Sequence, residues 1–324
     1  STSKASQRIN ALLDDNSFVE NGAMVTARAT DFDLKQAETP SDGVITGYGV
    51  IGGSLVYVYS QDASVMNGTV GEMHARKIAG LYNLAMKTGA PIIGLLDSAG
   101  LRLQEATDAL DAFGTIYRKM TDASGVIPQI SAVFGNCGGG LAIMAAMSDF
   151  TFMEEKNAKL FVNSPNALSG NTTAKCDTSS AAFQSEKTGN VDFVGDEDEV
   201  LSGIRRLVSI LPANNEENLA FDECTDDLNR LTAELAGCVE DTAAALAIIS
   251  DNNEFVEVKD AYAKDMVTGF IRLDGVTVGA VANRSGVLDE NGNLAEKYEA
   301  ALSPEGCEKA ADFVNFCDAF DIPV

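Results

Sequence analysis

The spacing of apolar residues divides the first half of the chain into alternating strands and helices. Two runs rich in β-branched and aromatic residues, 44–51 and 55–60, are separated by Gly52-Gly53, which predicts a hairpin. An apolar face at helical spacing predicts a helix over 72–87. The same reasoning predicts strands at 91–96, 129–134, 149–153 and 160–162, and helices at 6–17, 104–121 and 141–147. This order is typical of an α/β fold built around a layered sheet.

The second half is more polar and is predicted to contain a domain boundary. Its predicted segments are a loop with one short helix at 163–195, a helix at 197–211, an acidic linker at 212–240, a helix at 242–249 and a strand at 254–258. The linker leads us to predict two domains, at residues 1–226 and 227–324.

An internal repeat relates the two halves. The stretch from Thr46-Gly47 through the hairpin turn corresponds to Thr268-Gly269 through a similar turn, and a predicted helix follows each hairpin, at 72–87 and at 305–319. Hairpin–helix units are common, but the shared Thr-Gly pair and the shared order favour duplication. The second copy ends where the first enters its third strand. We therefore expect the second domain to be incomplete, with the apolar strands at 266–283 exposed and in need of a partner.

Composition narrows the classes of function. The chain has 324 residues, with 23 Lys and Arg against 48 Asp and Glu, which gives a net charge of -25. Nucleic acid is therefore not expected as a partner, because phosphate binding needs a basic face. No apolar run approaches the length of a membrane span and no secretory signal is visible, so direct membrane insertion is not expected.

Cysteine and histidine usage makes metal chemistry and triad chemistry improbable. The six cysteines are scattered without a CxxC pair, and the single histidine, His74, has no Cys or His at ligand spacing. Scattered thiols of this kind are typical of a reduced, cytoplasmic protein. One histidine is most often a packing residue, although acid/base use is possible. An enzyme of this composition would rely on backbone groups and a bound cofactor.

Two glycine-containing segments follow predicted buried strands. The run Gly138-Gly139-Gly140 opens an apolar helix, where free N–H groups favour negative charge and can form an oxyanion hole. A tight strand-to-helix turn that needs small residues explains the same pattern. The second segment, 97–105, offers room for a ligand and the guanidinium of Arg102. Here a structural pairing of Arg102 with Glu105 is slightly favoured by spacing alone.

At these residues the chain resembles the carboxyltransferase subunits of biotin-dependent acyl-CoA carboxylases and decarboxylases, of the propionyl-CoA carboxylase beta-subunit type. The resemblance runs along nearly the whole chain. The residues that carry it are 8–9, 12–13, 17–20, 42–43, 46–49, 60–62, 74–75, 77–78, 89–91, 97–98, 100, 102, 104–105, 124–130, 135, 137, 139–140, 149–153, 262–264, 316–320 and 322–323.

The resemblance implies a crotonase-like ββα spiral fold in two related domains, an acyl-CoA substrate and biotin on a separate carrier protein or domain. Gly139 and Gly140 would then stabilise the thioester enolate through their N–H groups, and Ser98, Ala99 and Gly100, together with Arg102, would line the acyl-CoA site. Carboxyl would pass between carboxybiotin and the α-carbon of a short acyl-CoA, without a metal. The resemblance also implies a homo-oligomer, a dimer or a trimer of dimers, with further complex subunits.

Two departures keep other functions open. The loop at 175–180 lacks the histidine that the family has there, and the family continues beyond the length of this chain. One alternative is a crotonase-type hydratase or isomerase, for which Glu105 is the nearest candidate acid/base group. The other is a non-catalytic CoA-binding or assembly subunit.

Overall fold

The computed structural model describes residues 2–30, 38–217 and 220–324. Its helices are α1 Lys4–Leu12, α2 Glu72–Thr88, α3 Thr107–Ala123, α4 Gly140–Met147, α5 Ala181–Glu186, α6 Glu197–Ile210, α7 Thr242–Ile249 and α8 Pro304–Ala319. Its strands are β1 Val19–Asn21, β2 Val44–Ile51, β3 Ser54–Gln61, β4 Ile92–Ser98, β5 Gln129–Gly138, β6 Phe150–Glu154, β7 Lys159–Phe161, β8 Phe193–Gly195, β9 Val256–Val258, β10 Met266–Leu273, β11 Val276–Asn283, β12 Gly286–Leu288 and β13 Leu294–Lys297.

The central sheet has the strand order β1-β2-β3-β4-β5-β6-β8, and β7 pairs with the end of β5. The β2–β3 hairpin is antiparallel, whereas β3, β4, β5, β6 and β8 run parallel. Side chains alternate between two apolar clusters: Val56 and Val58 face one, and Tyr57 and Tyr59 face the other. Helices α2, α3 and α4 cover one face, and α1 and α6 cover part of the other. The layered α/β arrangement is therefore confirmed.

Several element boundaries differ from the predicted ones. The first helix ends at Leu12 instead of residue 17, because the chain turns there to lie beside the β2–β3 hairpin. The segment 163–195 contains the short helix α5, as predicted, but also strand β8, which we did not predict. Strand β5 extends through Gly138, since β7 pairs with Asn136, Cys137 and Gly138.

The predicted repeat is present in the structure, and its two hairpins match residue for residue. The hairpins β2–β3 and β10–β11 have strands of equal length and the same antiparallel pairing. A short strand pairs antiparallel with the first strand of each hairpin in the same register, with Val19 opposite Tyr48 in the first copy and Val256 opposite Phe270 in the second.

The helix that follows each hairpin carries a buried lysine in the same place. Lys77 donates to the carbonyls of Ser41 and Val44, and Lys309 donates to those of Tyr262 and Met266. In both copies the ammonium group therefore satisfies carbonyls at the start of the hairpin. Burial lowers the pKa of each lysine to about 8.

The expectation that the strands at 266–283 would be exposed is wrong for both: only one residue of β11 is exposed, and β10 is buried more deeply. Six of its eight residues are buried, because β10 and α8 pack on the face of the central sheet that α1 and α6 leave open. Phe150 of β6 makes edge contacts with Phe270 at 6.1 Å and with Phe316 at 4.7 Å between ring centroids. The two halves of the chain therefore share one apolar cluster.

Among its described residues, the acidic segment 212–240 contains a short 3-10 turn at 233–237 and an isolated β-bridge from Phe221 to Val276, and residues 218–219 lie outside them. This agrees with a linker, while the boundary between 1–226 and 227–324 stays a prediction.

Within the described ranges, every helix is too short or too polar to span a lipid bilayer.

A cavity of about 460 Å³ lies where α4 and β6 meet α8. Asp149 lines it and accepts a hydrogen bond from the N–H of Gln129 at 2.8 Å. Burial, and to a smaller extent the neighbouring carboxylate of Asp192, raises the pKa of Asp149 to about 7. Folding therefore favours the protonated form of this carboxyl group.

Asp149→Asn is expected to remove a pH-dependent part of the stability. Because the folded pKa is raised, the contribution of Asp149 is fully present below about pH 4 and is lost as the pH rises through 7. Asparagine imitates the protonated form, so the variant should match the wild type only below about pH 4, and its advantage in the free energy of unfolding should be roughly 2–3 kcal/mol larger at pH 8.5 than at pH 5. Urea unfolding of both proteins at the two pH values measures the difference. An equal difference at both values would contradict this assignment.

Candidate active site

The two predicted glycine segments meet at one edge of the central sheet. Strands β4 and β5 are parallel neighbours, so their carboxyl ends lie side by side, and Ser98 is paired with Cys137. A methyl group placed on Gly100 would lie 3.7 Å from the carbonyl oxygen of Gly138. This edge is where ligands of parallel α/β sheets bind.

Only one of the two predicted glycine N–H groups is open. The N–H of Gly139 donates to the carbonyl of Phe161 at 2.9 Å and so belongs to the β5–β7 pairing. This corrects the expectation that both amides are available. Gly140 is the first residue of α4, and the N–H of a first-turn residue has no partner in its own helix. Gly139 adopts a φ of 59°, which favours glycine at the point where the chain turns into α4.

The aromatic side chains of α3 hold Gly140 in place from behind. The hydroxyl of Tyr117 donates to the carbonyl of Gly140 at 2.8 Å. A methyl group on Gly140 would come within 2.8 Å of that hydroxyl and 3.1 Å of the Phe113 ring. The start of α4 is therefore fixed by close packing, and its N–H and helix dipole can stabilise negative charge without rearrangement.

The three small residues at the end of β4 and directly after it, Ser98, Ala99 and Gly100, have different environments. Ala99 is exposed and can line a ligand site, and its N–H is already bonded to the carbonyl of Asn67 at 2.9 Å. Ser98 is buried, and its hydroxyl accepts the N–H of Gly100 at 3.1 Å. Their assignment to an acyl-CoA site stays a prediction, with Ala99 as the most accessible of the three.

Arg102 does not offer its guanidinium to a ligand, which corrects its predicted role in substrate binding. The side chain is 0% exposed and forms ion pairs with Asp42 and Glu105. Its second terminal nitrogen donates to the carbonyl of Thr69 at 2.7 Å. The predicted structural pairing with Glu105 is confirmed at 3.1 Å. Sequence reasoning missed Asp42, which lies sixty positions away.

Both carboxylate oxygens of Glu105 are also engaged in hydrogen bonds within the protein. One carboxylate oxygen accepts from Arg102 and the other accepts the N–H of Glu72 at 2.6 Å, and only 3% of the residue is exposed. A general acid or base must reach the substrate directly or through one water. Glu105 does not meet this condition.

His74 is a buried packing residue, as its sequence context favoured. Its backbone N–H donates to the carboxylate of Asp42 at 2.8 Å, and its ring Nδ1 lies 2.9 Å from the Asp42 carbonyl. The other ring nitrogen lies 3.3 Å from the amide nitrogen of Gln61, so these partners assign the neutral Nδ1–H form. Burial, with a smaller effect of Arg102, lowers the pKa of His74 to about 3. It therefore remains uncharged at neutral pH.

A second set of charged groups holds the end of β4, where the loop begins. Asp97 accepts from Arg8 of α1 at 3.1 Å, and Arg8 also pairs with Glu197 of α6. A methyl group on Gly135 would lie 2.0 Å from a carboxylate oxygen of Asp97. The Asp97 carboxylate therefore packs directly against β5 at Gly135 and leaves no room for a side chain there. This explains why glycine follows the apolar part of that strand.

The site lies at the edge of the sheet, where the open N–H of Gly140 is close to the small residues that follow β4. Main-chain groups there can stabilise an anion beside an exposed surface. Over the described ranges, His, Cys, Asp and Glu side chains nowhere gather in threes as metal ligands.

The chain belongs to the carboxyl transferase domain family, whose pattern matches residues 3–324. It is 38% identical to the propionyl-CoA carboxylase beta chain of Roseobacter denitrificans over 331 residues, covering 99% of this chain and 63% of the relative. It is also 38% identical to the methylmalonyl-CoA decarboxylase subunit alpha of Veillonella parvula, with the same coverage of both chains. The chain thus spans about 63% of the length of these relatives.

A solved structure of transcarboxylase 12S with hydrolysed methylmalonyl-coenzyme A bound has the same fold. It superposes with a TM-score of 0.89 at 36% sequence identity, covering 98% of this chain and 62% of that chain. The predicted crotonase-like α/β fold is therefore confirmed, and so is the family that the sequence resembles.

Proposed function

We propose that this chain forms the acyl-CoA half of a biotin-dependent carboxyltransferase, which moves a carboxyl group to or from the α-carbon of a short acyl-CoA. The observation that carries the proposal is the open N–H of Gly140 beside the small residues Ala99 and Gly100, in a chain of this family. Relatives named for propionyl-CoA and methylmalonyl-CoA support a short, branched or linear acyl group.

The proposed role of the backbone follows from where charge develops. When the carboxyl group leaves the α-carbon, the electron pair of the broken C–C bond is delocalised onto the thioester oxygen as an enolate. The N–H of Gly140, at the positive end of α4, would donate to that oxygen. A single donor of this kind is worth about 3 kcal/mol of transition-state stabilisation. Tyr117 would keep the donor fixed through the Gly140 carbonyl.

Biotin would supply the carboxyl group or accept it when it is bound on its carrier. The described residues of the second half, 220–324, contain no glycine run like 138–140 that could supply a second set of open N–H groups. We therefore assign the residues of this chain only to the acyl-CoA side. A carrier protein or domain is part of the proposal.

The same proposal includes assembly and location. The transcarboxylase 12S relative is described as a hexamer, which supports a homo-oligomer for this chain, a dimer or a trimer of dimers, with further subunits. The six cysteines are free thiols, which supports a reducing, cytoplasmic location.

A hydratase or isomerase activity is not supported by the site. That chemistry needs an accessible acid/base group, and Glu105 is buried and bonded through both carboxylate oxygens. A non-catalytic CoA-binding subunit remains one outcome of the test below.

The test compares propionyl-CoA with its thioether analogue, S-propyl-CoA, which lacks only the carbonyl oxygen. If Gly140 donates to that oxygen, calorimetry should show roughly fivefold tighter binding of the thioester. The carbonyl stretching frequency of bound propionyl-CoA should also fall. Equal affinity for the two ligands would contradict the proposed contact, and lack of binding by either would contradict an acyl-CoA site.

A second measurement separates an enzyme from a binding subunit. The chain combined with a subunit or domain that binds biotin, and incubated with free biotin and methylmalonyl-CoA, should release propionyl-CoA and carbon dioxide. Binding of the thioester without any turnover, even after candidate partner subunits are added, would favour the non-catalytic function.

A further inference from the structure

Arg102 closes a network of hydrogen bonds directly beneath the loop 97–102, which carries Ala99 and Gly100. The guanidinium reaches three separate segments: Asp42 before β2, the Thr69 carbonyl before α2, and Glu105 beyond the loop. All three contacts are shielded from water, since Arg102 is 0% exposed. A buried arginine with a complete set of partners is strongly constrained in position.

The same loop is joined through its main chain to residues 67–70. Ala99 donates to the carbonyl of Asn67 at 2.9 Å, and Arg102 donates to the carbonyl of Val70 at 3.0 Å. In the opposite direction, the N–H of Val70 donates to the carbonyl of Gly100 at 2.8 Å. The guanidinium therefore binds Thr69, which belongs to the segment 67–70 whose main chain is hydrogen-bonded to Ala99 and Gly100.

Asp42 connects both ends of the loop. Its carboxylate accepts from Arg102 at the far end and from the backbone of His74. The His74 ring then contacts Gln61, whose side-chain oxygen accepts the N–H of Asp97, the first residue of the loop, at 3.1 Å. One buried carboxylate thus restrains residues 97 and 102 together.

The loop has little freedom to move toward or away from α4. A methyl group on Gly68 would lie 2.4 Å from the Asp97 carbonyl, and one on Gly71 would lie 2.7 Å from the Arg102 guanidinium. The distance between Gly100 and the β5 end is therefore set by contacts beneath the loop. A small change there would move the wall of the candidate site relative to the Gly140 N–H.

We propose that Arg102, anchored by Asp42 and Glu105, is a positioning residue that sets the separation between Ala99–Gly100 and the Gly140 N–H for an acyl-CoA thioester. It acts without touching the ligand. This inference rests on the proposed function for its ligand, and on the hydrogen-bond network alone for its effect on the loop.

Arg102→Lys tests the proposal because it keeps the buried positive charge but has one ammonium group in place of the planar fork. The ammonium cannot hold Asp42, Glu105 and the Thr69 carbonyl in the same geometry. We expect the fivefold preference for propionyl-CoA over S-propyl-CoA to disappear, so that the two ligands bind with about equal affinity. The affinity for S-propyl-CoA itself should change less than twofold. For turnover of methylmalonyl-CoA, kcat should fall about tenfold with little change in KM.

Amide hydrogen exchange of the same variant tests the loop without any ligand. Residues 97–102 should exchange at least tenfold faster than in the wild type, while β2–β3 should not change. Arg118→Lys, on the exposed side of α3, is the matched control and should leave binding and exchange unaltered. Unchanged exchange in a folded Arg102→Lys protein would overturn the positioning role, whatever the ligand assay shows.

The two proposals fail in different ways. If the wild type shows no preference for the thioester, the proposed function fails and the exchange experiment alone decides whether Arg102 positions the loop. If the wild type shows the preference and Arg102→Lys retains it, the positioning role fails. Should Arg102→Lys not fold, Glu105→Gln takes its place, since it keeps Arg102 with Asp42; we then expect a twofold to threefold loss of preference, and no loss would overturn the proposal.

Discussion

Gly47→Ala is expected to destabilise the chain by about 3 kcal/mol or more, one of the two largest effects on stability that we anticipate. A methyl group on Gly47 would lie 2.3 Å from the Val19 carbonyl oxygen and 2.5 Å from the Phe18 ring. Because the nearest atom belongs to the backbone of β1, the clash cannot be relieved by a side-chain rotation alone. Overpacking of this kind lies at the upper end of measured costs. Urea unfolding of the variant measures the loss.

The second copy of the repeat provides an internal comparison for this prediction. A methyl group on Gly269 would lie 2.4 Å from the Val256 carbonyl and 2.5 Å from the Phe255 ring, almost the same environment. Gly269→Ala should therefore show a similar loss. Gly80→Ala is the matched control: it lies within α2 with open space around it, and alanine there should stabilise by up to about 1 kcal/mol. A Gly47→Ala protein as stable as the wild type would contradict the close packing of β1 and Phe18 against Gly47.

The hairpins and the repeat were predictable because their signals are local. Gly52-Gly53 separates two β-rich runs, and the Thr-Gly pairs mark the same position in both copies. Strand β1 was missed because it is short and exposed. Its signal is present in the repeat, however, since Phe-Val-Glu occurs at 18–20 and again at 255–257, before each hairpin.

The site was predictable only in part, for the opposite reason. The meeting of the two glycine segments follows from parallel strands, whose carboxyl ends share an edge. The loss of the Gly139 N–H to Phe161 depends on β7, a three-residue strand that returns from beyond α4. A pairing of that kind leaves no periodic pattern in the sequence, so the number of open amides required the structure.

The ion-pair partners of Arg102 were likewise only partly predictable from the sequence. Its pairing with Glu105 could be read from their spacing, but Asp42 and the Thr69 carbonyl come from segments that only the fold brings together. A buried arginine was therefore mistaken for a binding residue.

Arg102→Met is expected to cost about 3–5 kcal/mol of stability, the second large effect. Methionine fills a similar volume but leaves the carboxylates of Asp42 and Glu105 buried without their common cation. Removal of one partner from a buried ion pair is far more costly than the net value of the pair, because the remaining charge has lost its water and its counterion. Asp42→Asn should cost less, since it leaves the neutral pair of Arg102 and Glu105 intact.

The loss in Arg102→Met should also depend on pH in a direction that identifies its cause. Two buried carboxylates without a cation favour protonation in the folded state, so acid should restore part of the stability. The gap between wild type and Arg102→Met, measured by urea unfolding, should shrink as the pH falls from 8 to 5. The gap for Gly47→Ala, which arises from a steric clash, should stay nearly constant over this range. A constant gap for Arg102→Met as well would mean that lost packing, and not two unpaired charges, causes the loss.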